Sequence, residues 1–210
     1  MSARVAVKIC GLTTVAQVEH AVRAGADAIG VVLCASPRQV SPSQARRLFD
    51  AVPDGVLAVA VLRDPLPELL SAAIAAGARA VQCEASHKPA LPGGVVWLPA
   101  LRDAADLLAQ AEALALDAGA WPTCWPARLL VDGPRPGSGR TGDWERAAAI
   151  AARWPVALAG GLDPDTVADA LRRVRPVAVD VSSGVESQLG VKDPARVSAF
   201  VDAVRALEGT

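Results

Sequence analysis

A chain of 210 residues with 21 basic and 22 acidic side chains has a formal charge of −1, which gives no electrostatic reason to expect nucleic acid or an anionic membrane as partner. Hydrophobic residues make up 52%, much of it alanine, and no run approaches the roughly 18 unbroken apolar residues of a spanning helix. The amino-terminal MSARVAVKICGLTT is too weakly apolar for a secretory signal, and Cys10, Cys34, Cys83 and Cys124 lack metal or redox spacing, so free thiols and a cytoplasmic setting are expected.

Apolar, β-branched runs without alternation predict parallel strands covered on both faces. They fall at Val5–Ile9, Ala28–Leu33, Val56–Val61, Ala80–Cys83, Val95–Ala100, Arg128–Val131, Val156–Ala159 and Ala178–Val181. Alanine-rich stretches between them predict helices over Thr14–Ala24, Pro42–Val52, Pro65–Ala76, Ala104–Leu116, Trp144–Arg153, Pro164–Arg173 and Pro194–Leu207. The pairs Ser41-Pro42, Asp64-Pro65, Asp163-Pro164 and Asp193-Pro194 read as an N-cap followed by proline in the first turn. After Cys83, SHKPALPGG is too proline-rich for a full helix and predicts a shortened one. AGADAIG (Ala24–Gly30) and AGARAVQ (Ala76–Gln82) repeat one device, a glycine C-cap turning directly into a strand. Asp117–Pro126 reads as the loop before strand six. Eight such units predict one single α/β domain over residues 1–210, a (β/α)8 TIM barrel. The rival open sheet would carry GxGxxG after an early strand, where none stands.

In such a barrel the chemistry gathers at the carboxyl ends of the strands. Strand one ends in Lys8-Ile9-Cys10-Gly11, strand six in Asp132-Gly133 followed by Gly137–Thr141, and strand eight in Asp180 through Glu186. Gly160, Gly161, Ser182, Ser183 and Gly184 follow strands seven and eight, where backbone N–H groups commonly hold a phosphate; ordinary tight turns are the plainer alternative. Cys10 reads as a base or as a small core residue, and a base would need its pKa lowered by a cation such as Lys8 on the same face. A carboxylate such as Asp132 after an apolar strand must be solvated, paired or functional. Arg38 suits bidentate binding of a carboxylate, or is a surface arginine beside Pro37. With only His20 and His87 present, and His20 on a helix facing solvent, acid–base work falls to Asp, Glu, Cys or Lys. A small phosphorylated molecule is the expected ligand.

The segments KICGLT, GADAIG, SPRQVSP, LLVDGPRPGSGRTGDW, LAGGLDPDTV, VAVDVSSGVE and GVKDPARVSAF run from one terminus to the other, and together they resemble the phosphoribosylanthranilate isomerase family of tryptophan biosynthesis. The resemblance implies a (β/α)8 barrel with no metal or organic cofactor. It also implies an Amadori rearrangement of N-(5-phosphoribosyl)anthranilate to 1-(o-carboxyphenylamino)-1-deoxyribulose 5-phosphate. By the same resemblance Cys10 is the general base and Asp132 the general acid. Arg38 would hold the anthranilate carboxylate, and Gly160, Gly161, Ser182, Ser183 and Gly184 the phosphate. Two loops differ from the family's usual wording, Val61-Leu62-Arg63-Asp64 and Gln82-Cys83-Glu84-Ala85-Ser86, both on the side of the substrate's aromatic group. Three other readings remain: a paralogue acting on a related aminoaldose phosphate, the sister isomerase of histidine biosynthesis, which has aspartate where Cys10 stands, and a non-catalytic phosphate-binding barrel. Monomer and homodimer are both open.

Overall fold

A computed structural model describes residues 4–64, 66–84, 88–114, 124–133 and 142–208. Eight parallel strands close into a barrel in chain order: β1 (Ala6–Cys10), β2 (Ala28–Val32), β3 (Leu57–Val61), β4 (Ala80–Glu84), β5 (Val96–Arg102), β6 (Leu129–Asp132), β7 (Val156–Leu158) and β8 (Ala178–Val181). Closure is direct, with Ala6 of β1 opposite Ala178 of β8 and Ile9 opposite Val181. The described helices are α1 (Val15–Ala24), α2 (Pro42–Asp50), α3 (Pro67–Ala75), α4 (Leu107–Leu114), α5 (Trp144–Ala151), α6 (Val167–Val174) and α7 (Pro194–Arg205). Between β8 and α7 stand a 3-10 turn (Ser183–Val185) and an antiparallel hairpin of β9 (Glu186–Gln188) and β10 (Val191–Lys192). No helix among the described residues is long and apolar enough to cross a membrane.

Local chemistry explains most helix starts. Ser41 forms a capping box with Gln44, and Asp193 accepts the N–H groups of Ala195 and Arg196, so both proline signals hold there. The other two do not. Leu66 precedes α3 with no side-chain cap, and Pro65 lies outside the described residues. Asp163 folds a tight turn by accepting from the N–H groups of Asp165 and Thr166 and from the Thr166 hydroxyl, which delays α6 to Val167. The shortened helix after β4 is not found in residues 88–95, where Pro89, Pro92, Gly93 and Gly94 disfavour one; residues 85–87 lie outside the described set. So do Gly137–Thr141 and most of the loop before β6. His20 does not simply face solvent: its Nε2 lies 2.8 Å from the Pro194 carbonyl oxygen and 3.3 Å from Ser198 Oγ, tying α1 to α7.

Both strand faces are buried, so the strands read as unbroken apolar runs. Outward residues such as Val7, Ile9, Ile29 and Val179 pack under the helices with Phe200 and Val204 of α7. Inward residues at the amino-terminal end are mostly small, including Ala6, Ala28, Ala80, Ala157 and Ala178, and the buried Trp125 just before β6 fills the space among them. One step up the same inward rows, apolar residues give way to Lys8, Cys10, Gln82, Asp132 and Asp180. That change of chemistry along one face sets the site.

Candidate active site

A cavity of about 280 Å³ opens at the carboxyl ends of the strands, with Cys10, Arg38, Asp132, Asp180 and Ser182 among its walls. Below it, Lys8 Nζ donates to Asp180 Oδ1 at 2.8 Å, with 0% and 9% of the two side chains exposed. Register places the two residues side by side on β1 and β8. Room for them comes from Gly30 on β2: a Cβ there would lie 2.8 Å from Cys10 Sγ and 3.1 Å from Lys8 Nζ. Burial works against the Lys8 charge, but Asp180 and then Cys10 outweigh it and raise its pKa.

Cys10 and Asp132 end β1 and β6 and face this cavity. Burial, followed by the negative charge of Asp180, pushes the Asp132 carboxyl up to about 6, although the Gly133 N–H donates to its Oδ1 at 2.7 Å. Cys10 departs from the expected direction. Burial raises its pKa, and the cations Lys8 and Lys192 offset this only in part, so the resting group is a thiol.

Arg38 is buried, which removes the surface reading. Its Nε and Nη2 donate to Glu186 Oε1 and Oε2 at 2.6 and 2.8 Å, a bidentate pair that leaves Nη1 out. Lys192 Nζ donates to Glu186 Oε1 at 2.7 Å and to the carbonyl and hydroxyl oxygens of Ser182 at 3.0 and 3.2 Å. Burial alone would raise the Glu186 carboxyl, yet Arg38 and Lys192 hold it at about 2. Ser182 Oγ donates to the Cys10 carbonyl oxygen at 3.0 Å. Its hydroxyl hydrogen points at the protein, and a phosphate would have to displace that bond to receive it.

The structure brings Cys10, Asp132, Arg38 and Ser182 to one cavity; Gly160, Gly161, Ser183 and Gly184 stand outside its walls in the adjoining loops after β7 and β8. Gly160 and Gly161 adopt φ of 83° and 70°, conformations that favour glycine. A Cβ on Gly160 would also strike the Gly133 backbone, and one on Gly184 the Leu162 carbonyl oxygen, so close loop packing accounts for both glycines without a ligand. Among the described residues, the N–H groups of Gly161, Ser183 and Gly184 have no backbone acceptor.

Sequence reasoning placed Glu186 at the end of strand eight without a role and did not single out Lys192; the Arg38 that joins them lies 148 residues from Glu186. It also ended the fifth strand at Ala100; the strand continues to Arg102, and the alternation that turns Ala100 inward turns Arg102 inward too. Arg102 pairs with Glu84 at the rim, beside Arg63. Gln82, on the same wall, has a buried Oε1 with no partner among the described residues.

The profile for N-(5'-phosphoribosyl)anthranilate (PRA) isomerase matches residues 104–203. A Pseudomonas fluorescens (strain Pf0-1) protein named N-(5'-phosphoribosyl)anthranilate isomerase is 40% identical over 211 aligned positions, covering 94% of this chain and 97% of that protein. A Deinococcus radiodurans protein of the same name is 40% identical over 213 positions, covering 96% and 97%. The phosphoribosyl anthranilate isomerase of Thermotoga maritima superposes with a TM-score of 0.81 at 31% identity, covering 97% of this chain and all of that one. Another such isomerase, in complex with reduced 1-(o-carboxyphenylamino)-1-deoxyribulose 5-phosphate, superposes with a TM-score of 0.79 at 30% identity over 97% of this chain and 100% of that one. Likeness of fold and sequence covers nearly the whole chain, and the chain belongs to the N-(5'-phosphoribosyl)anthranilate isomerase family.

Proposed function

We propose that this chain isomerises N-(5'-phosphoribosyl)anthranilate to 1-(o-carboxyphenylamino)-1-deoxyribulose 5-phosphate, with Asp132 as general acid and Cys10 as general base. The observation that carries this reading is the pair itself: two titratable groups at the ends of β1 and β6, facing one cavity above a buried ion pair. Relatives 40% identical over 94% or more of the chain carry the isomerase name, which supports this substrate over a paralogue's.

Asp132, held at about 6, gives its proton to the furanose ring oxygen. The ring C–O bond breaks, the nitrogen lone pair forms C=N, and a cationic Schiff base results. The enzyme form that reacts is the minority in which Cys10 is already a thiolate, and the new positive charge holds it ionised against the burial that raises the thiol's pKa. Cys10 takes the C2 proton, the C–H electrons form the enolamine, and tautomerisation yields the ketone. Ser182 holds the Cys10 carbonyl and so orients the base. Arg38, Lys192 and Glu186 together carry one net positive charge, which suits the anthranilate carboxylate at Arg38. Backbone N–H groups of Gly160, Gly161, Ser183 and Gly184 receive the phosphate.

The test follows loss of the anthranilate adduct's fluorescence on addition of purified protein. A rapid fall supports the reading. Retained binding of a phosphorylated ligand with no turnover would leave a binding barrel instead.

A further inference from the structure

The hairpin after β8 has a buried base and an apolar tip. At the base Glu186 and Lys192 are locked into the cluster with Arg38. At the tip Leu189 is 68% exposed, more than any other large hydrophobic side chain among the described residues. A single exposed leucine ordinarily needs no explanation. This one forms part of the wall of the cavity that holds Cys10 and Asp132.

Nor is the tip loosely held. The neighbouring Gly190, at φ 81°, approaches the Pro37 carbonyl so closely that a Cβ would lie 3.2 Å from its oxygen. Pro37 and Ala35 share the cavity wall with Leu189, and Arg38 follows Pro37 in the chain. The charged groups Arg63, Glu84 and Arg102 line other parts of the same wall. A planar apolar group entering the mouth therefore meets its apolar flank at Leu189, Pro37 and Ala35, with a guanidinium at its foot. We infer that Leu189 is a specificity-determining residue that covers one face of the substrate's aromatic ring while the ortho carboxylate reaches Arg38. The inference rests on the reaction proposed above. It adds to that reaction a residue whose apolar surface is open to water until the ring buries it, a burial that favours binding roughly in proportion to the area covered.

The experiment compares the parent enzyme with Leu189→Ser and Leu189→Phe by steady-state kinetics. It adds binding of the reduced product analogue and of ribulose 5-phosphate, which keeps sugar and phosphate but lacks the ring. Leu189→Ser should raise KM and weaken the reduced analogue about tenfold. Its kcat and its affinity for ribulose 5-phosphate should stay at the parent's values, and Leu189→Phe should restore the analogue's binding. Unchanged analogue binding in Leu189→Ser overturns the inference. So does equal weakening of both ligands, with or without a lower Tm, because that marks a distorted mouth. If the parent fails to turn over the substrate, the reaction assignment falls, while the contrast between ring-bearing and ringless ligands still decides the role of Leu189.

Discussion

On one arc of the cavity mouth, around β8, β1 and β2, Arg38 and Glu186 meet with 6% and 5% of their side chains exposed. On the other arc Arg102 and Glu84 pair with 44% and 38% exposed. The residue types are the same and the physics is not. Water and salt screen the second pair, whereas the first has lost its hydration and depends on its partners. The buried arc also touches the reacting centre, since Lys192 holds Ser182 and Ser182 holds the Cys10 carbonyl. Rigid charge sits beside the base, and adjustable charge faces it across the mouth.

The largest effects should come from the acid–base pair that the buried arc supports. Cys10→Ser and Asp132→Asn should each lower kcat by about two orders of magnitude or more, with KM nearly unchanged, in steady-state assays. The pH dependence sharpens the point. The productive form needs Asp132 protonated and Cys10 ionised, but Asp132 titrates at about 6 and the thiol above its ordinary value. Under about 1% of free enzyme then holds both states at neutral pH. A plot of kcat/KM against pH should rise to a break near 6, run level, and fall at the thiol's higher pKa. The low break thus reports the acid and the high break the base, opposite to the order that their roles suggest.

Glu186→Gln attacks the buried arc directly, leaving Arg38 and Lys192 without their carboxylate. Urea unfolding should show a loss of about 2–4 kcal/mol. Because Glu186 is held at about 2, its stabilisation is complete above the ordinary carboxylate pKa of about 4.3 and fades as pH falls towards 2. The variant should lack that part of the acid slope.

Asp132 has the opposite sign. Its raised pKa means that the folded state disfavours the ionised carboxylate, a penalty present above pH 6 and absent below about 4. Asp132→Asn should therefore be more stable than the parent at pH 8 by up to about 3 kcal/mol, with the gain gone by pH 4, as thermal melts at the two pH values would show. The acid is kept for chemistry at the expense of stability. The smallest effect belongs to the exposed arc: Arg102→Gln should change unfolding stability by less than about 0.5 kcal/mol, and a larger loss would erase the contrast between the arcs.

Much of this architecture was legible before the barrel closed. Continuous apolar strands, glycine C-caps such as Gly25 and the Ser41 capping box depend on neighbours a few residues away, so periodicity and caps reveal them. Cys10 and Asp132 stand out the same way, as polar groups at predicted strand ends, and Arg38 as a charge in the segment after strand two. Elsewhere one local pattern serves two structures. Asp163-Pro164 looked like a helix start because cap and turn use the same local hydrogen bonds, and the packing of the neighbouring segment decides which one forms. Gly160 and Gly184 carry a local signal that a phosphate loop and a tight loop contact would both produce.

Sequence by itself determined the class of fold, the order of its elements and the residue types at the mouth, because these stem from short-range sterics and the period of burial. Closure of the barrel decided the rest. It brought Arg38 to Glu186 across 148 residues and set Lys8 beside Asp180. It also turned the expected fall in the Cys10 pKa into a rise. Desolvation and Coulomb energy depend on how much water each group keeps and which charges lie within a few ångströms, and no spacing along the chain records either quantity.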